Sequence, residues 1–231
     1  MRIEVLCEDK SSVPVLRELL AAELDQRPSG QDHRIYYHPH RGLGFLPADL
    51  QARPLASQTG LYDLLPAKLR AYQSLAPDLK MLIVVVHDSD DKNPDTCYQQ
   101  LEYLFRRLSP DHYFVIGIAV EELESWLMGD FVAIQQAYPQ ADRERWSRYQ
   151  QDSICGTWEQ LAFVLEGRKK AQQLIRLGYP AVGIYKSEWA QRIAPFMDAQ
   201  RNRSPSLQLF LKRFNAILSR AEGDSRRASQ G

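Results

Sequence analysis

Carboxylates crowd three short stretches of this chain. They are Glu8 and Asp9, then Asp88, Asp90 and Asp91 in "VVVHDSDD", then Glu121, Glu122 and Glu124 in "EELE". Each stretch follows an apolar run of the kind that forms a buried strand. Several carboxylates in one cleft repel and raise one another's pKa unless a cation neutralises them. Hard oxygen donors without clustered histidine or cysteine suit magnesium or manganese rather than zinc. The plainer reading of any one stretch is a solvated loop, or, for Glu121 to Glu124, acids at the positive end of a helix dipole. Three stretches reaching the same sheet edge favour a shared cation.

The elements that must position these acids read as alternating strand and helix. "RIEVLC" is a strand, and "SSVPVLRELLAAEL" a helix capped by Ser11 or Ser12 with Pro14 in its first turn. "HRIYYHPH" is a second strand, residues 41–58 a Gly- and Pro-rich loop, and "LYDLLPAKLRAYQSL" a helix despite Pro66. "KMLIVVVHD" is a continuous apolar run, as a parallel strand covered on both faces requires. "DTCYQQLEYLFRRL" is a helix, "HYFVIGIAV" a strand, and "EELESWLMGDFVAIQQAY" one long helix. Beyond that only helices are expected, over residues 157–177, 186–197 and 205–220. The expected fold is α/β, with a mostly parallel sheet flanked by helices and a helical C-terminal part. The units are residues 1–140, a helical part over 141–222 packed on them, and a flexible tail over 223–231. In such a sheet, ligands bind beyond the carboxyl ends of the strands, where the acids lie.

The chain carries 29 basic and 29 acidic residues, but they are unevenly placed. Residues 1–165 hold 16 basic against 24 acidic, and residues 166–231 hold 13 against 5. This asymmetry fits a metal site in front and a grip on a polyanion behind. The C-terminal candidates for that grip are Lys186, Arg201, Arg203, Ser204 and Ser206. Lys186 and Arg203 are the phosphate contacts, and Ser204 or Ser206 caps the helix that follows. In "HPHRGLGF", Arg41 with Gly42 and Gly44 offers a weaker phosphate contact, and a plain turn explains the segment as well. His38 and His40 lack the partners of a zinc site. Trp126, Leu127, Trp158 and Phe163 read as core. Cys7, Cys97 and Cys155 are odd in number and widely spaced, as in a reducing cytoplasm. No apolar run is long enough for a membrane span, and the N-terminus has no signal-peptide pattern.

A strand ending in Glu, a helix, and a later strand ending in Asp-x-Asp resemble the Toprim pattern of topoisomerases, primases and overcoming-lysogenization-type nucleases. A closer resemblance covers most of the chain. "IAVEELESWLMGD" is similar to the E-x-E-x-W-x-x-x-D segment of a bacterial Toprim-like family of unknown function. "YKSEWAQRIAPFMDAQRNRSPSLQLF" is similar to its C-terminal signature, with a lysine, an aspartate and an S-x-S step before phenylalanine. The resemblance implies that Glu8 is the Toprim glutamate, a metal ligand or general base. It implies that Asp88 and Asp90 are the aspartate pair holding one ion, and that Glu122 and Glu124 complete a second position. Asp91, Lys92 and Asn93 depart from the small residue and glycine usual after Asp-x-Asp. Two ions roughly 3.5–4 Å apart would clamp the attacking and leaving oxygens of a phosphoryl displacement. His87, beside the pair, reads as a structural donor rather than a proton shuttle. The expected function is a Mg2+- or Mn2+-dependent nuclease on DNA or RNA, in a bacterial defence setting with an ATPase partner by family analogy. The alternatives are a non-catalytic module binding nucleic acid or an ATPase, and a phosphatase-like enzyme on a nucleotide.

Overall fold

The computed structural model describes residues 1–27, 33–75 and 81–228. Four strands, β1 (Arg2–Cys7), β2 (Arg34–Pro39), β3 (Leu82–Asp88) and β4 (Tyr113–Ala119), form one sheet in the order β2-β1-β3-β4. Every pairing is parallel, so all four carboxyl ends lie on one edge. Helices α1 (Ser12–Asp25), α2 (Leu61–Ser74) and α3 (Pro94–Leu108) make the crossovers. Then come α4 (Glu124–Met128), α5 (Phe131–Ala137), α6 (Arg143–Ser147), α7 (Thr157–Leu177), α8 (Ala181–Ile193) and α9 (Pro205–Ala228). A 3-10 turn at Ala194–Phe196 extends α8. No helix among the described residues is long and apolar enough to cross a membrane.

Both faces of the sheet are covered, which explains the unbroken apolar strands. Ile3, Val5, Leu82, Val84, Val86 and Val115 join the core beneath α1 and the C-terminal helices. Leu6, Ile83, Val85, Ile116 and Ile118 join a second core beneath α2 and α3. Side chains alternate faces along a strand, so neighbouring residues of one strand serve different layers. The helical C-terminal part packs directly on the sheet. Phe210 of α9 lies over Gly117 of β4 and stacks on Trp126, with ring centroids 5.4 Å apart. The expected core roles of Trp126, Leu127 and Trp158 hold, and Phe163 packs against the same core from a partly buried position.

Three expectations need correction. The long helix expected over residues 121–138 is two short ones, α4 and α5, broken at Gly129 and Asp130. Asp130 starts the second by accepting the Ala133 N–H at 3.2 Å, so the chain turns there instead of continuing. Helix α1 is not capped by a serine; Asp9 accepts the Ser12 N–H at 2.9 Å. The tail expected to be flexible from residue 223 is helical through Ala228, and residues 229–231 lie outside the described residues. Anchors hold that last stretch: Glu222 reaches Arg27 at 3.1 Å and His33 at 3.2 Å, and Asp224 accepts from the Tyr113 hydroxyl at 2.6 Å.

A Cβ on Gly117 would come within 2.7 Å of the Phe210 ring. Gly117→Ala should therefore destabilise the protein by roughly 1–3 kcal/mol, because α9 must shift or Phe210 leave its rotamer. Urea unfolding followed by tryptophan fluorescence measures this; an unchanged midpoint would mean that the ring swings aside without cost.

Candidate active site

Period-two alternation sends the two residues closing β3 to opposite layers. His87 falls on the α2 side and is buried, where its Nε2 lies 2.9 Å from the Tyr62 hydroxyl. Its Nδ1 lies 2.6 Å from the Asp88 carbonyl oxygen, which can only accept. Nδ1 therefore carries the proton, and Nε2 accepts from Tyr62. Burial pushes the His87 pKa down to about 4, so this ring is a fixed neutral donor. Asp88 falls on the other side, that of α1 and α8.

There Asp88 meets the other strand ends. Its N–H donates to Glu8 Oε2 at 3.2 Å. Ser89, next along, ties the third and fourth strand ends together. Its N–H donates to the Ala119 carbonyl at 2.9 Å, and its hydroxyl accepts the Glu121 N–H at 2.9 Å. The Asp90 N–H donates to the Glu121 carbonyl at 2.9 Å, with Asp90 in the left-handed region at φ 50°. Glu8, Asp88 and Asp90 are thus brought to one sheet edge, as expected from their positions. Burial, then the Asp90 and Asp9 charges, push the Glu8 carboxyl up to about 7. Burial and Glu8 push Asp88 well above the usual carboxylate range.

The centre of the cluster is a lysine. The Lys186 ammonium, carried by α8, lies 3.0 Å from Glu124 Oε2 and 3.2 Å from Glu122 Oε1. The Tyr179 hydroxyl stands 3.3 Å away. Glu124 is 1 % exposed and Lys186 is 5 % exposed. Burial works against the ammonium, but Glu124, Glu122 and Asp88 outweigh it and hold its pKa well above the usual lysine value. Burial pushes Glu122 up to about 7 despite Lys186. Glu159, in the first turn of α7, is raised by burial with Glu121 and Glu124 adding to it. One cation therefore faces Glu8, Asp88, Glu122 and Glu124. Lys186 is buried among acids and also lines the cleft beside them.

Glu121 serves the fold instead. It sits at φ 60°, and its carboxylate accepts the N–H groups of Cys155, Gly156 and Thr157 at 2.8–3.2 Å, besides the Thr157 hydroxyl. These bonds outweigh burial and lower its pKa. Glu122 Oε2 accepts the Trp158 N–H at 3.0 Å. Both acids thereby satisfy the open N–H groups at the start of α7.

The C-terminal basic and hydroxyl residues are likewise partnered within the chain. Arg201 forks onto Asp130 through Nε at 2.9 Å and a second nitrogen at 2.8 Å. Arg203 lies over the Trp146 ring at 5.5 Å. The Ser204 hydroxyl accepts the Leu207 N–H at 3.3 Å, so Ser204 caps α9. It also donates to Asp152 at 2.9 Å, while the Ser206 hydroxyl accepts the Trp126 indole N–H at 2.9 Å. The structure thus uses these residues to lock α9 to the segment around α4. Arg41 follows β2 at the same carboxyl edge, in a turn whose Gly42 N–H donates to the Glu8 carbonyl at 3.0 Å. Gly44 there abuts Asp63, which caps α2, so the plain turn describes this segment. His38 pairs with buried Glu4, and His40 bonds the Cys7 carbonyl at 2.9 Å.

A cleft of about 560 Å³ opens beside the cluster, lined by Asp9, Lys10, Ser11, Tyr179, Ile184 and Lys186. A larger hollow of about 670 Å³ lies between α3 and α9; neither cavity is lined by Glu8, Asp88, Asp90, Glu122 or Glu124, and the cleft reaches their cluster through Lys186. Among the described residues, no three His, Cys, Asp or Glu side chains are grouped as a ready metal shell. The donors that do converge are all hard carboxylate oxygens in excess over the local cation, which is the chemistry magnesium or manganese takes. No protein-family model, no curated protein and no solved structure matches the chain. Tyr179 and Glu159 had no signal in the sequence, because each is far along the chain from the acids it joins.

Lys186→Met should destabilise the protein by roughly 3–5 kcal/mol at neutral pH, since removing one partner leaves buried carboxylates uncompensated. Thermal melting checks it, and a melting temperature equal to the parent's would mean that the cluster relaxes. In the parent, Glu8 and Glu122 have folded pKa values raised to about 7, so the folded state holds their protons more tightly than the unfolded chain. Their contribution is complete below about pH 4.5 and is lost as pH rises through about 7. In chelator, melting should fall across that window, and Glu8→Gln should flatten the fall.

Proposed function

We propose that this protein hydrolyses phosphodiester bonds of DNA or RNA with the help of magnesium or manganese. The observation that carries the reading is the convergence of Glu8 and Asp88 at adjacent strand ends, in a cluster with more carboxylate than cation. Glu8, Asp88 and Asp90 would hold an ion. Such an ion supplies Lewis-acid stabilisation of the phosphoryl oxygens and a bound water of lowered pKa. Lys186 would take over what a second ion does in a fully acidic site, offering a fixed positive charge to a phosphate at the mouth of the cleft. Its engagement with Glu122 and Glu124 supports this division over a two-ion site. Glu122 and Glu124 hold the ammonium in place, with the Tyr179 hydroxyl 3.3 Å away at its side. Where Glu8 acts instead as the general base towards water, Asp88 and Asp90 alone would hold the ion.

The setting is part of the proposal. Cys7, Cys97 and Cys155 are free thiols, which supports a reducing cytoplasm. The resemblance of the E-x-E-x-W and S-x-S segments supports an ATPase partner in bacterial defence. A cleft of about 560 Å³ also suits a single nucleotide, so mononucleotides belong in the assay.

In a cleavage time course on single- and double-stranded DNA and RNA, Asp88→Asn and Glu8→Gln should each lower the rate by roughly 100- to 1,000-fold, the usual cost of losing a charge-stabilising group. His87→Ala should lose less activity than stability. Cleavage that persists in EDTA would sink the metal reading. Tight polynucleotide binding without cleavage under any condition, with or without an ATPase, would make the protein a binding module.

A further inference from the structure

One wall of the cleft that opens onto Lys186 is apolar and exposed. Leu177, Tyr179 and Ile184 are 63 %, 64 % and 72 % exposed, and Ile175 stands beside them in sequence. They lie at the turn joining α7 to α8, and two of them, Tyr179 and Ile184, line the cleft together with Lys186. Large apolar groups clustered this way on a surface mark a binding face. The helix leading into this turn is basic. After the break at Gly167, whose φ is 73°, α7 carries Arg168, Lys169, Lys170 and Arg176, all exposed. Lys170 pairs with Glu166 at 2.6 Å. Among the described residues no ion pair is shown for Arg168, Lys169 or Arg176. The other C-terminal cations discussed above are engaged: Lys186 by acids, Arg201 by Asp130 and Arg203 on Trp146.

Tyr179 thus has an apolar ring open to solvent and a hydroxyl that touches the ammonium facing the reaction centre. A nucleotide whose phosphate meets Lys186 would have its base within reach of that ring. Stacking of this kind needs an unpaired base, because a base inside a duplex already stacks on its neighbours. Exposed aromatics beside a basic track are how single strands are bound without sequence reading.

We propose that Tyr179, with Ile184 beside it, is a base-stacking platform, and that the strand entering this site is single-stranded, led in along the basic half of α7. The proposal rests on the phosphodiester reading above and names its substrate class. The test is fluorescence anisotropy with a labelled oligothymidylate of roughly a dozen nucleotides, an abasic strand of equal length, and a blunt duplex. The buffer contains calcium, which takes the same hard oxygen ligands. Tyr179→Ala should weaken oligothymidylate binding by roughly 5- to 150-fold, the range set by alanine substitution of stacking aromatics. Tyr179→Phe keeps the ring and should stay within about threefold of the parent. The parent should bind the abasic strand and the duplex as weakly as Tyr179→Ala binds the oligothymidylate. Melting curves of Tyr179→Ala equal to those of Tyr179→Phe should accompany this result, because both variants lose the hydroxyl beside Lys186 and only the alanine loses the ring.

Parent-like affinity of Tyr179→Ala, or equal parent affinity for all three probes, would overturn the platform. The platform stands if the discrimination appears even where no cleavage is found, which would sink only the hydrolytic reading. Binding of none of these DNA probes, nor of an oligouridylate of equal length, would overturn both.

Discussion

One buried ammonium organises the carboxyl edge of this sheet. Lys186 reaches from α8 to Glu122 and Glu124 near the end of β4, within the field of Asp88 at the end of β3. Carboxylates in a partly desolvated space repel strongly, and such a cluster holds together only if a positive charge is fixed among them. The helical C-terminal part is therefore not an appendage. It delivers the charge that lets the acidic strand ends coexist.

The same segment is secured by a second set of contacts. Asp130 takes Arg201, Trp126 gives its indole N–H to Ser206 and stacks on Phe210, and Asn202 donates to the Trp126 carbonyl at 2.8 Å. These bonds tie α4 and α5 to α9, so the acids and the lysine are held by a common scaffold. Residues 122–130 and 186–210 touch at several points, through Lys186 on Glu122 and Glu124, Ser206 and Phe210 on Trp126, and Arg201 on Asp130. That mutual contact gives a structural reason for Asp130, Arg201 and Ser206, while Ser204 caps α9 and bonds Asp152. Glu8 and Asp88 stand outside that contact, joined to each other at the ends of β1 and β3.

The lengths and order of the strands and crossover helices were legible because each core strand is an apolar run ended by charge or turn residues. The ends of α7 were legible, but its break at Gly167, where φ is 73°, was not. Nor was the break between α4 and α5. It depends on Asp130 being held by the Asp198 N–H and by Arg201, both contributed from far along the chain. The helical extent of α9 past residue 220 was hidden for a similar reason. Polar residues there look solvated until Arg27, His33 and Tyr113 are seen to engage them.

By itself the sequence determined that this is an α/β chain whose acids lie at strand ends, since alternation and apolar runs are local properties. It also determined, through the parity of β3, that His87 and Asp88 serve opposite layers. Only the tertiary structure decided what those acids meet. It turned Glu121 onto the α7 N-terminus, brought Lys186 from 62 or more residues away to Glu122 and Glu124, and set Tyr179 at the mouth. Coulombic partners of a buried charge are chosen by folding and not by spacing along the chain. A lysine in a basic C-terminal stretch therefore read as a surface contact, although the fold places it at the centre of the acids.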